Sequence, residues 1–426
     1  MRLRSYARFG LFALLGLLLS WLVACGSQPS ATAPAADGSQ EVEFWTMQLQ
    51  PDFTDYFNGL IAEYKAENPD VTVRWVDVPW ADMQSKILTA VTAGTAPDVV
   101  NLNPDFAAQL ASRNAWMPLD EKITDIDKAV YLPNIWQANT LNDQSFGIPW
   151  YLTTNVTLHN QALLDAAGVA PPTTYAELAD VARQVKDKTG KYAYFTTFVP
   201  EDSADVLQSF VQMGVDLVDE QGQAAFDTAE GRAVFQYWTD LYQQELLPRE
   251  VLTQGHRRAI ELYQAGEVAL LSTGAEFFPT IEANAPDIAE VTGSGPQITG
   301  ETGKTNVAVM NVVIPAATDV PDTALDFALY LTNDINQLNF AKAANVLPST
   351  AAALQDSYFA AEGTKGVEKA RAVSAKQMNQ AEVLIPAMDG IKELQAIIYD
   401  NLQASMLGQK TVDAAVSDAA AAWNGR

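Results

Sequence analysis

The spacing of hydrophobic residues changes period along the chain, and each change marks an element. Residues 41–46 (Glu-Val-Glu-Phe-Trp-Thr) alternate, as a strand with a buried face does. Phe53, Tyr56, Phe57, Leu60, Ile61 and Tyr64 then recur at helical spacing, and Asn68-Pro69 stops the run because proline steers the preceding residue out of helical geometry. A second strand is expected at 71–76. A second amphipathic run through Met83, Ile87, Ala90 and Val91 ends at Gly94, with a third strand at 97–102 and a short helix at 106–113. Strands recurring every 25 to 30 residues or so, with helices between, are the rhythm of a parallel sheet.

The rhythm restarts after Gly147. Thr174 and Glu177 form a capping box ahead of Leu178, Val181, Ala182 and Val185. Strands are expected at 192–197, 268–271 and 306–314, and helices at 203–213, 229–245 and 256–265. From Thr323 to Trp423 the pattern is almost wholly helical. The fold class is α/β: two such units followed by a helical tail. The length exceeds what one core usually organises, so two lobes are expected.

The first forty residues follow a different logic. Arg2, Arg4 and Arg8 precede an apolar run from Phe9 to Trp21 that is too short for a membrane span. It ends in Leu22-Val23-Ala24-Cys25, which resembles the lipobox of bacterial lipoproteins. That resemblance implies a signal peptide at 1–24 and lipidation of Cys25. Cys25 is the chain's single cysteine, so no internal disulfide is possible. Residues 26–40 are small, polar and proline-containing, and with Cys25 they are expected to form a flexible tether, 25–40.

Net charge is −26, and loss of Arg2, Arg4 and Arg8 takes it to −29. This excess argues against nucleic acid and anionic lipid surfaces as partners. In open parallel sheets ligands lie beyond the carboxyl ends of the strands. The residues expected there are 45–50, Pro79-Trp80 and 101–105 from the first unit, and 148–155, 195–201 and 272–278 from the second. They are rich in Trp, Tyr, Phe, Asn, Asp, Gln and Thr, with no Lys, Arg or His. Anionic groups usually need a cation or a glycine-rich helix start. A neutral sugar needs flat aromatic faces and converging short polar groups. The candidate ligand-binding residues are therefore Trp45, Gln48, Trp80, Asn101, Asn103, Asp105, Trp150, Tyr151, Asn155, Glu276, Phe277 and Phe278. Trp150 and Tyr151 are adjacent, so at most one is expected to face the ligand squarely. His159 and His256 show no metal spacing, and no metal, cofactor or catalytic residue is expected.

Four stretches in order carry a family resemblance: Phe-Trp-Thr at 44–46; Thr-Ala-Gly-Thr-Ala-Pro-Asp-Val-Val at 92–100; Gly-Ile-Pro-Trp-Tyr-Leu-Thr-Thr-Asn-Val from 147; and Phe-Ala-Lys-Ala-Ala-Asn-Val-Leu-Pro-Ser at 340–349. The chain resembles family 1 extracellular solute-binding proteins, the maltose- and oligosaccharide-binding receptors of ABC importers. One departure is His159-Asn160, where the family often has Tyr-Asn. The resemblance implies a two-lobed, type II periplasmic-binding-protein-like fold, hinged by three crossings near 148–152, 306–312 and 348–352. The N-terminal lobe would take 41–149 plus 310–349, and the C-terminal lobe 150–309 plus 350–426.

The function so implied is non-enzymatic: a lipid-anchored extracytoplasmic monomer that binds a neutral di- or oligosaccharide or glycoside between its lobes. It would deliver that ligand to ABC permease subunits by hinge closure. A receptor for a polyamine, if Asp52, Asp82, Asp105, Glu201 and Glu276 converge, or for glycerol-phosphate is the alternative. A secreted carbohydrate-active enzyme is a further one, since carboxylates and aromatics also line glycosidase clefts.

Overall fold

In the computed structural model, residues 39–426 are described except 201, 362, 386, 387 and 389. The expected signal peptide, Cys25, the tether as far as residue 38, and Glu201 lie outside the described residues, while Gln40 already opens a strand. Strand β1 (Gln40–Met47) is buried on both faces from Phe44 onward, because helices cover both sides. The Phe44 ring meets Phe57 of helix α1 (Thr54–Glu67) with centroids 6.2 Å apart. On the opposite face Lys86 of helix α2 (Trp80–Ala93) lies 4.3 Å from the centre of the Trp45 ring. Strands β2 (Val71–Val78) and β3 (Val99–Leu102) flank β1, and β3 runs parallel to it, with Phe44 opposite Val99. Helix α3 (Pro104–Ala111) leaves β3 directly.

The chain then adds β4 (Ile148–Thr154) and β5 (Val156–Asn160), which belong to different sheets. Beyond β5 come helices α4 (Tyr175–Thr189), α5 (Asp205–Gln212), α6 (Ala229–Gln243) and α7 (His256–Gln264). The predicted capping box is present: Glu177 N donates to Thr174 Oγ1 and Thr174 N to Glu177 Oε2, each at 3.2 Å. Strands β6 (Leu270–Thr273) and β7 (Thr292–Gly295) pair antiparallel on either side of β5. Strand β8 (Thr305–Val313) returns to the first sheet, and helices α8 (Pro321–Leu331) and α9 (Asp334–Ala344) and the short β9 (Leu347–Pro348) follow. The tail holds helices α10 (Gly366–Gln377), α11 (Ile391–Met406) and α12 (Val412–Asn424).

The large sheet has the order β9-β4-β8-β3-β1-β2, and Ala381–Glu382 pairs with the start of β8. The expectation of a parallel sheet therefore needs correction. Strand β8 is antiparallel to both β3 and β4, because it enters from the far lobe and runs back into the near one. The smaller sheet is antiparallel throughout. The strand expected at 192–197 is also absent. Tyr192 and Ala193 accept bonds from Ala269 and Leu270, after which the segment diverges, still buried but without a ladder.

Two hydrophobic cores result. One gathers Val42 to Leu152 and Val307 to Leu347; the other gathers Val156 to Ile298 and Ile391 to Trp423. The chain passes between them at 152–156 and 298–307. The third passage is later and broader than 348–352. Phe359, Met378 and Ala381 still pack into the first core, while Ala370 of α10 packs into the second. Helix α10 straddles the junction, bonding Thr154 through Ser374 and Asn155 through Gln377.

Candidate functional site

Three element starts converge between the cores. Helix α3 begins at the carboxyl end of β3, where the Asn103 side chain accepts from Phe106 N at 2.8 Å. Asp105 lies in its first turn, where the helix dipole favours an acid. Facing it are the start of α5 and the first turn of α11. A cavity of about 490 Å³ lies among them, within the size range of small-molecule sites. The first lobe contributes Trp80, Gln84, Asn103, Asp105 and Phe106, and the second contributes Asp202, Ser203, Gln208 and Lys392. Thr153 of β4 and Ala308 of β8, paired in register, lie between, with Asn306 and Met310 beside them.

Trp80 is 45% exposed, unusual for so large an apolar surface, and it starts α2. Its backbone N–H donates to Gln48 Oε1 at 3.2 Å. Gln48 holds a left-handed φ of 52° and donates its own N–H to Val78 O. Gln48 therefore does not line the cavity; it ties the end of β1 to the residue that does. Asp77 fixes the same loop, accepting from Thr46 Oγ1 and from the N–H groups of Leu49 and Gln50.

Asn103, Asp105 and Trp80 are thus brought together as expected from the sequence. Other candidates are not. Trp45 lies beneath Lys86 and donates its indole N–H to Glu43 at 2.6 Å. Asn101 is fully buried and donates to Asn311 O across the β3–β8 pair. Trp150 is fully buried and stacks on Phe340 at 4.9 Å and 22°. Phe278 is a core residue whose ring fills the space beside Gly366, where a Cβ would come within 1.9 Å of Cζ. Trp45, Trp150 and Phe278 belong to the cores and Asn101 is buried within the sheet, because strands and helix starts covered on both faces bury their side chains whatever the loop beyond them does.

Of the remaining candidates, Asn155 reaches a residue of a second, smaller space. A polar chamber of about 10 Å³, room for one water molecule, is lined by Tyr175, Tyr194, Thr196, Asp205, Gln208 and Ser272, among others. Gln208 lines both spaces, and its buried Oε1 has no partner within the protein. Burial pushes the Asp205 carboxyl up, an effect partly offset by His256, by Ser203 and by Asn155. Asn155 reaches Asp205 Oδ1 at 3.5 Å, so it serves this chamber and not the larger cavity. Burial raises the Glu276 carboxyl to about 7. Burial, and secondly the charge of Glu276, push the Tyr151 phenol up, which places the two groups in one another's field. Phe277 is 37% exposed and presents its edge to the His256 ring.

The cation-free expectation is also corrected. Lys392 lines the cavity and its Nζ lies 2.6 Å from Asp105 Oδ2. Nothing in the sequence pointed to it, because it belongs to a tail helix far in sequence from the strand ends. The acids proposed to converge do not: of Asp52, Asp82, Asp105 and Glu276, Asp105 alone lines the cavity. Among the described residues no cluster of His, Cys, Asp or Glu could hold a metal, and no helix is long and apolar enough to cross a membrane.

The family model for bacterial extracellular solute-binding proteins matches residues 50–338. The chain belongs to that family. This solute-binding protein is 45% identical to a putative oligosaccharide periplasmic-binding protein from Synechococcus sp. MITs9220, with a TM-score of 0.85 over 90% of this chain and 98% of that one. It is 28% identical over 308 residues to the arabinooligosaccharide-binding protein of Halalkalibacterium halodurans, covering 69% of this chain and 67% of the relative. The cyclic α-maltosyl-1,6-maltose binding protein of Arthrobacter globiformis shares the fold, at a TM-score of 0.77 and 22% identity over 91% of this chain and 99% of that one. The fold is therefore the two-lobed maltose-binding type. The relatives are solute-binding components of sugar ABC transport and not enzymes, which removes the glycosidase reading.

Proposed function

We propose that this solute-binding protein captures a neutral di- or oligosaccharide or glycoside between its lobes and hands it to an ABC permease on hinge closure. The observation that carries the reading is the cavity itself: it joins both lobes, offers one exposed indole face at Trp80, and sets short polar groups such as Asn103, Thr153, Ser203 and Asn306 among apolar ones such as Phe106, Met310 and Ile385. The oligosaccharide named for the Synechococcus relative and the arabinooligosaccharide named for the Halalkalibacterium one support the same class. Lys392 is neutralised by Asp105, so the pair adds a donor and an acceptor without a net charge for a phosphate or a polyamine to match. Ligand binds the closed arrangement better than the open one and shifts the hinge equilibrium toward it.

In this reading the two moving bodies follow the two cores, 41–152 with 307–347 and 156–298 with 391–423, and helix α10 bridges them. Cys25 carries lipid, and 25–40 tethers the monomeric body outside the membrane. Trp80, Asn103 and Asp105 contact ligand directly, while Gln48, Tyr151, Asn155, Glu276 and Phe277 support or rim the site. The deciding experiment is a thermal-shift screen against mono-, di- and trisaccharides, glycosylglycerols, glycerol-phosphate and polyamines, because a ligand raises apparent stability by linkage. A shift with a neutral glycoside alone is expected; a shift confined to a polyamine or a phosphate overturns the assignment. For the anchor, Cys25→Ser is expected to release the chain from the membrane fraction, and unchanged partitioning would remove the lipid.

A further inference from the structure

Lys392 breaks a local rule. It lies in the first turn of α11, a helix of 16 residues, where unsatisfied N–H groups make a cation unwelcome. Its neighbour Glu393 suits that position and pairs with Arg426 at 2.9 Å. Lys392 finds little compensation within its own lobe, where Gln395 Oε1 stands 3.5 Å from its Nζ. Among the described residues its ion pair is with Asp105, across the cavity at 2.6 Å. Each side chain of the pair is 34% exposed, open enough to exchange its partner for water. Asp105 is already well placed by the dipole of α3 and would be stable there unpaired. A cation placed against its own helix, whose ion pair among the described residues comes from the opposite lobe, is a sign of function, because local rules are broken where function requires it.

We propose that the Asp105–Lys392 pair is a latch that draws the lobes together before ligand arrives, so that the ligand-free chain already populates the closed arrangement. The inference rests on the proposed hinge closure. Opening separates the pair and leaves Lys392 facing the positive end of α11 alone, whereas closing gives it a carboxylate. A half-exposed pair of this kind changes a two-state ratio by about two- to five-fold. Charge reversal changes it more, since two carboxylates then meet across the cavity. The latch also sets apparent affinity, which scales with the fraction of molecules already competent to bind.

The test is single-molecule energy transfer on the ligand-free full chain, carrying Cys25→Ser and dyes at exposed Ser85 of α2 and Asp287 of the second lobe. Four forms are compared: native, Lys392→Met, Lys392→Glu, and the exchanged pair Asp105→Lys with Lys392→Glu. Circular dichroism confirms that each is folded. The closed-to-open ratio is expected to fall two- to five-fold in Lys392→Met and further in Lys392→Glu, and to return toward the native ratio in the exchanged pair. A native ratio in Lys392→Met, or an exchanged pair as open as Lys392→Glu, overturns the latch. No sugar is present, so the outcome is independent of the ligand screen: a latch without a sugar shift, or a sugar shift without a latch, each identifies which proposal failed.

Discussion

At the scale of single residues, exposure separates tryptophans that the sequence could not. Trp45 and Trp80 both follow strand positions and both looked like pocket walls, yet one is capped by Lys86 and the other is 45% exposed at the cavity. Trp80→Ala is expected to cost about 1 to 3 kcal/mol of affinity for the sugar found in the screen, by titration calorimetry, with little change in melting temperature. Trp45→Ala is expected to do the reverse, lowering stability while the remaining folded protein binds normally. Glu276 makes a separate prediction. Burial holds its carboxyl near 7 against an ordinary 4.5, so the folded chain binds this proton more tightly than the unfolded chain does. The stabilisation is full below about pH 4.5 and is lost as pH rises through about 7. Glu276→Gln should therefore gain melting temperature relative to the native chain between pH 5 and pH 8, and parallel melting curves across that range would contradict the assignment. Asp105 and Asn103 were legible because a strand end followed by a helix start is a local pattern. Lys392 was not, because its partner lies 287 positions away and no periodicity relates them.

At the scale of elements, helix and strand boundaries were largely written in the period of the hydrophobic residues. The α1 run from Phe53 to Tyr64 and the Thr174–Glu177 cap both appear where local sequence put them. Pairing direction was not legible, since nothing in the residues of β8 states that it arrives from the other lobe. The strand expected at 192–197 failed for a related reason: Tyr192 to Thr197 is apolar and β-prone, but its neighbours at 267–270 offer three backbone bonds, all at Tyr192 and Ala193, before the paths diverge. Close element contacts make sharper predictions than propensity. Gly366 opens α10 directly against Phe278, leaving no room for a methyl group. Gly366→Ala is expected to cost about 1 to 3 kcal/mol in urea unfolding, the usual range for overpacking a filled site. An unaffected midpoint would mean that α10 can slide off the ring.

At the scale of the whole molecule, charge and chain path matter more than any contact. A net charge of −26 makes the folded state repel itself, so raising NaCl from about 20 mM to about 500 mM should raise the melting temperature as screening shortens its range. A fall would show that ion pairs such as Asp105–Lys392 outweigh the general repulsion. The two-lobed plan was legible from length and from the restarted strand rhythm, while the late third passage was not, because α10 serves both cores at once. The return of β8 has one more consequence, for the order in which the polypeptide can acquire structure. Because β8 sits between β3 and β4, the larger sheet lacks its middle until residue 313 has emerged, and the second core waits for Trp423. A fragment ending at residue 300 is therefore expected to show no cooperative melting transition, although it contains four of the six strands in the larger sheet's order and all three of the smaller sheet. Neither lobe can be released early from the translating ribosome as a finished body, so both must close late and nearly together, which suits a polypeptide that has to stay threadable until it has left the cell interior.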